Sequence, residues 1–232
     1  MNILAGIVAL FFAATGWTAG PVVTISSNNT PEDRRVLEEV SRDVFRRIGM
    51  GVDIVRLPSE RSLLAADAGE VDGEGLRVGG LSETYRNLVQ IPEPYVRISF
   101  VAFARRASGV KVDVGWESLK PHRVAFISGW KMFEANASSA RAVTKVNAAE
   151  QLFRMLDADR IDLALYTRVG GMALVRDLGL STIVALEPSL RDVDMYLYLN
   201  RKHETLVPRL AMALRESKRD GTHRKILAAS GM

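Results

Sequence analysis

Leu57-Pro58-Ser59-Glu60-Arg61-Ser62-Leu63-Leu64-Ala65-Ala66-Asp67-Ala68-Gly69-Glu70-Val71-Asp72 has a counterpart about 90 residues further on, Asn147-Ala148-Ala149-Glu150-Gln151-Leu152-Phe153-Arg154-Met155-Leu156-Asp157-Ala158-Asp159-Arg160-Ile161-Asp162. Each stretch reads as a short amphipathic helix, a tight polar stop, then an apolar residue and an Asp entering a strand. A unit used twice at this spacing implies two similar lobes, and two lobes imply a cleft. Only Asp67/Asp157, Ala68/Ala158 and Asp72/Asp162 match identically. The echo alone therefore leaves open a chance recurrence of a common α/β unit. Under the two-lobe reading, Asp72 and Asp162 mark equivalent turns rather than a catalytic carboxylate pair.

Outward from the repeat, the chain alternates strands and helices. Val22 to Ser27 is a β-branched run that reads as a strand, followed by the polar turn Ser26-Ser27-Asn28-Asn29. Thr30 caps a helix with Pro31 at its first position and Glu32 and Asp33 in its first turn. Val36, Val40, Val44 and Ile48 supply its buried face at helical spacing. Strands are expected at Val52–Leu57, Leu88–Ile91, Ile98–Ala104, Arg123–Ile127, Ala142–Val146, Ile161–Tyr166, Thr182–Leu186 and Met195–Leu199. Asn147 and Glu150 read as a capping-box pair opening the second repeated helix. Arg105 to Gly109 is the candidate crossing between lobes. This alternation argues for α/β lobes with mostly parallel sheets.

Composition narrows the function classes. The 232 residues are 47% hydrophobic and 25% charged, as expected of a well-cored globular chain. The net charge of +4 is spread among interspersed Lys, Arg, Asp and Glu, with no basic run and few aromatics, which argues against nucleic-acid binding. Met1 to Gly20 holds no charged side chain, and Ile3 to Ala14 is apolar at the length of a signal-peptide core, so residues 1–20 read as an export signal. There is no cysteine, hence no disulfide and no lipid anchor through an N-terminal Cys. His122, His203 and His223 lack metal-ligand spacing, and no cofactor is implied. Gly73-Glu74-Gly75-Leu76-Arg77-Val78-Gly79 lacks the third glycine of a dinucleotide loop.

Several segments, taken in order, carry a family resemblance. Gly69-Glu70-Val71-Asp72-Gly73 and Asp159-Arg160-Ile161-Asp162-Leu163-Ala164 form two helix-to-strand turns. Trp116-Glu117-Ser118-Leu119-Lys120-Pro121-His122-Arg123-Val124-Ala125 opens the second half. Tyr196-Leu197-Tyr198-Leu199-Asn200-Arg201-Lys202, Leu206-Val207, Leu214 and Lys218-Arg219-Asp220-Gly221-Thr222 close the chain. Together they resemble the family-3 extracellular solute-binding proteins, the type II periplasmic binding proteins of the polar-amino-acid type. The resemblance implies a two-lobed α/β fold, with two mixed, mostly parallel sheets joined by two hinge strands. Residues 21–99 and 196–232 would form lobe one and residues 100–195 lobe two, clamping a solute between them.

The same resemblance implies a monomeric periplasmic protein that serves the membrane permease of an ABC importer or a sensor receptor. Candidate ligand contacts fall where strand ends meet turns: Asn28, Arg77, Ser82 and Arg86 from the first lobe, and Ser128, Gly129, Trp130 and Thr167 from the second. Arg77 and Arg86 compete as a carboxylate clamp, since an Arg fork can donate two parallel hydrogen bonds. The amides of Ser128, Gly129 and Trp130 are candidate anion donors, and Trp130 is equally a candidate core residue. The first loop lacks the aromatic residue usual in amino-acid binders. The site of their ammonium-binding Asp reads Tyr166-Thr167-Arg168. These departures favour a small anionic or carboxylated solute over an α-amino acid. A rarer alternative on this scaffold is a cyclohexadienyl-dehydratase-like enzyme, with Glu74 or Glu83 as general acid.

Overall fold

The computed structural model describes residues 20–27 and 30–232. The export signal expected at residues 1–20 falls almost entirely, and Asn28 wholly, outside the described residues. Among the described residues, no helix is long and apolar enough to cross a membrane.

The repeated unit is real, and its turns are matched bond for bond in the backbone. In the first copy, β1 (Val22–Ser27), α1 (Pro31–Arg47), β2 (Gly51–Arg56), α2 (Ser59–Ala68) and β3 (Gly73–Val78) follow in sequence. Both β2 and β3 pair parallel to β1. After β4 (Leu88–Gln90) and β5 (Val96–Arg105), the pattern restarts with β6 (Arg123–Ile127), α3 (Lys131–Asn136), β7 (Ala142–Val146), α4 (Ala149–Asp157) and β8 (Leu163–Thr167). Both β7 and β8 pair parallel to β6. The remaining elements are α5 (Arg168–Asp177), β9 (Ile183–Ala185), β10 (Arg191–Asn200), α6 (Val207–Arg219) and α7 (Thr222–Ala229).

Helices α2 and α4 end alike. Gly69 and Asp159 take left-handed backbone angles, with φ of 78° and 58°. In each turn the following amide reaches back one helical turn, Glu70 to the Ala65 carbonyl and Arg160 to the Met155 carbonyl, both at 2.9 Å. Asp72 then donates its amide to the Thr24 carbonyl at 2.8 Å, and its Oδ2 accepts the Thr24 amide at 2.8 Å. Asp162 does the same with Arg123, at 2.8 and 2.7 Å. Each aspartate thereby stitches the start of its strand to the start of the neighbouring parallel strand. Their work is structural.

The two expected sheets are one. The ten strands form a single mixed sheet in the order β2-β1-β3-β10-β5-β8-β6-β7, with β4 added on β10 and β9 on β5. The reason is that β5 and β10 pair antiparallel over Arg191↔Phe100 to Met195↔Val96, so hydrogen bonding continues between the halves. The crossing therefore lies within β5 and β10; Arg105 ends β5, and Arg106–Ser108 is only a 3-10 turn beyond it. Both faces of this central region are covered. Ile98, Phe100, Ala102 and Ala104 enter one apolar cluster, while Val101 and Phe103 enter another on the opposite face. The Asn147/Glu150 capping box does not form, since Ala148 occupies the N-cap position of α4 without a side-chain bond.

Asp72 also binds Lys202 Nζ at 2.9 Å and His203 Nε2 at 2.7 Å. Partial burial opposes its ionisation, but Lys202, the Thr24 amide and His203 outweigh that and hold its pKa down to about 2, against an ordinary 3.8. A lowered carboxylate pKa stabilises the fold above the ordinary value, and that contribution is lost as pH falls toward the folded one. Asp72→Asn should therefore cost on the order of 1–2 kcal/mol in urea unfolding at neutral pH, after discounting for solvent screening. The difference from wild type should shrink below pH 3.8.

Candidate functional site

A recess, part of it open to solvent, lies where the two halves of the sheet meet. Its walls come from both repeats. Leu76, Arg77 and Val78 stand at the end of β3, Thr167 at the end of β8, and Trp130, Lys131 and Met132 around the start of α3. The crossing strands supply Ile98, Phe100 and Met195, and Asp33 enters from the first turn of α1. An adjoining recess shares Asp33 and Thr167 and adds Arg97, Arg168 and the C-terminal Met232.

The halves touch across this recess. Ser59 Oγ donates to the Gly129 carbonyl at 2.8 Å, Lys131 Nζ reaches Glu60 Oε2 at 2.7 Å, and Thr167 Oγ1 donates to Asp33 Oδ2 at 3.2 Å. Gly170 lets α5 close on the first half: a Cβ there would stand 2.7–2.9 Å from Thr30 side-chain atoms.

Of the sequence candidates, Arg77, Trp130 and Thr167 meet in the recess. Gly129 packs on Ser59 beside it. Ser82 and Arg86 do not line it: both are exposed, and Ser82 Oγ donates to the Leu88 carbonyl at 2.7 Å. Trp130 plays both expected parts. It is half-buried and lines the recess, yet it stacks on Tyr166 with ring centroids 4.7 Å apart and on Phe133 at 5.9 Å.

The expected anion donors are largely engaged within the protein. The Ser128 amide bonds the Val146 carbonyl at 2.8 Å, and the Trp130 amide bonds that of Ile127 at 3.2 Å. The Gly129 amide bonds Glu134 Oε1 at 3.2 Å. Arg77 Nε donates to Glu74 Oε1 at 2.6 Å, Nη1 to Ser59 Oγ and Nη2 to the Ser59 carbonyl, both at 3.0 Å. Glu74, with no exposed surface, also accepts from Ser26 at 2.6 Å and from Ser62. The carboxylate weighed as a general acid is thus the buried counter-ion of Arg77. Glu83 lies on the exposed turn.

Sequence reading missed Asp33. It is 1% exposed, and Oδ2 accepts Thr30 Oγ1 at 2.8 Å as well as Thr167, while Oδ1 is buried without a hydrogen-bond partner. Burial raises its pKa to about 6 from an ordinary 3.8, the two threonine hydroxyls offsetting part of that rise. The signal was present in the sequence: so short a connection between β1 and α1 leaves the helix start at the C-terminal end of β1, on the cleft side.

No known family's sequence profile matches the chain. An uncharacterised protein of Shewanella oneidensis strain MR-1 is 24% identical over 214 residues, spanning 87% of this chain and 79% of that protein. Among solved structures, a histidine kinase sensor domain with similarity to periplasmic binding proteins superposes with a TM-score of 0.78 at 19% identity, covering 90% of this chain and 96% of the other. The substrate-binding protein of an amino acid ABC transporter gives 0.73 at 14% identity, covering 89% and 97%. The fold is that of the type II periplasmic binding proteins. In this chain the carboxylate lining the recess comes from α1.

Two variants probe the site. A raised carboxyl pKa means that the protonated form suits the fold, and stability is lost as pH rises from 3.8 toward about 6. Asp33→Asn should accordingly raise stability by roughly 2 kcal/mol at pH 8 and confer no gain at pH 4, read from thermal melts at each pH. Gly170→Ala should hold the halves apart, giving a larger radius of gyration by small-angle X-ray scattering than wild type; an unchanged radius would mean that Thr30 yields to the added methyl.

Proposed function

We propose that this protein is an extracytoplasmic solute-binding protein whose halves close on a small polar solute and present it to an ABC-type importer. The observation that carries the reading is the recess at the β5–β10 crossing, walled by both repeats and bridged by Ser59–Gly129 and Asp33–Thr167. Walls from two bodies that hinge on shared strands make closure depend on what lies between them. The apolar stretch at Ile3 to Ala14 supports export. The likeness to a transporter's substrate-binding protein supports delivery to a permease. A second reading, in which the closed clamp is sensed by a membrane receptor, draws on the likeness to a kinase sensor domain. The arrangement of Glu74 and Glu83 speaks for binding over acid catalysis.

Native mass spectrometry of the protein released from its own periplasm should show a stoichiometric small molecule that is lost on denaturation. Adding that molecule back to stripped protein should raise the melting temperature with concentration, since a ligand selective for the native state stabilises it by RT ln(1 + [L]/Kd). A protein found only in the cytoplasm, or one that no small solute stabilises, would sink the proposal.

A further inference from the structure

The cations lining the recess already have carboxylate partners. Arg77 is held by Glu74 at 2.5 Å. Lys131 is held by Glu60 at 2.7 Å and Glu134 at 3.4 Å. In the adjoining recess, Arg97 faces Asp194 at 3.3 Å, and Arg168 donates to Glu187 at 2.9 Å through Nη2. The amides that could greet an anion are bonded within the protein. Asp33 is the reverse case. Its hydrogen bonds come from two neutral hydroxyls on one oxygen; the other oxygen is buried and unpartnered, and no cation pairs with it among the described residues. A buried charge persists when something compensates it. Leu76, Ile98, Phe100, Met132 and Met195 line the rest of the recess and suit a hydrocarbon body.

We propose that the solute is a small organic amine, its ammonium seated on Asp33 Oδ1 and its apolar body against the crossing strands, recognised without a carboxylate clamp. The assignment rests on the clamp reading above and inverts the charge expected of the solute from sequence. It places the counter-ion on α1, opposite Thr167. Thr167 and Thr30 become positioning residues that fix the Asp33 carboxyl. The charged and titratable groups around Asp33 are Glu32 on its own helix, Arg77, Lys131, Arg97, Arg168 and Tyr166. The four basic ones are those already paired.

Calorimetric titration at pH 7.5 with the series propylamine to hexylamine, the matching carboxylic acids and the matching α-amino acids tests this. At least one amine should bind the full-length mature protein, the acids should not, and adding an α-carboxylate should not improve affinity. Asp33→Asn should weaken amine binding at least about 30-fold while remaining folded by circular dichroism. Arg86→Ala, on the exposed turn, should bind as wild type. Unchanged amine affinity in Asp33→Asn would overturn the assignment. So would binding of acids without amines, or binding that requires the α-carboxylate; either of these would leave the clamp reading intact. Binding of none of the three series, together with no molecule carried from the periplasm, would overturn both.

Discussion

The architecture depends on the antiparallel pairing of β5 with β10. Each strand belongs to one half at one end and to the crossing at the other. Phe100 pairs with Arg191 in the crossing and with Thr167 of β8; Met195 pairs with Val96 and with Val78 of β3. The C-terminal ends of β3 and β8 therefore converge on one place. Side chains there line the recess because the register leaves them nowhere else to be, as at the carboxyl ends of parallel strands generally. A one-residue slip in this pairing would turn Ile98 and Phe100 to the opposite face and dismantle the site.

Around that fixed point, the charges are arranged by compensation. Glu74 is wholly buried and tolerated because Arg77, Ser26 and Ser62 satisfy it. Arg77 is in turn spent on Glu74 and Ser59, so a residue that sequence assigns to solute recognition also holds the wall of the cleft. Lys131 bridges to Glu60 across the closure. Asp33 alone keeps an unpartnered carboxylate oxygen among the groups walling the recess, and it is on this oxygen that the proposed ammonium is seated.

Much of this was legible in the chain. The doubled helix-turn-strand unit located both left-handed turns and both stitching aspartates, because those depend on local backbone geometry that Gly69 and Asp159 announce. Arg77, Trp130 and Thr167 were legible as strand-end residues. Other features depended on partners distant in sequence. That β5 and β10 would pair and merge two sheets into one is a long-range event that neither strand's pattern encodes. The Ser128, Gly129 and Trp130 amides looked available because Val146 and Glu134, two of the groups that occupy them, lie on other elements. Asp33 read as an ordinary first-turn acid, favoured there by the helix dipole, and only the placement of α1 against α5 and β8 buries it.

The polar contacts between the halves are individually modest. The hydrogen bonds Ser59–Gly129 and Thr167–Asp33 contribute about 1 kcal/mol each, and the partly exposed Lys131–Glu60 pair about that or less. Against them stands the burial of Asp33, which opposes its ionisation even after the Thr30 and Thr167 hydroxyls offset part of the rise. A ligand shifts such contacts only by its differential affinity for the arrangement that makes them. A cation seated on Asp33, as proposed above, would relieve that burial directly and couple solute binding to the contacts between the halves.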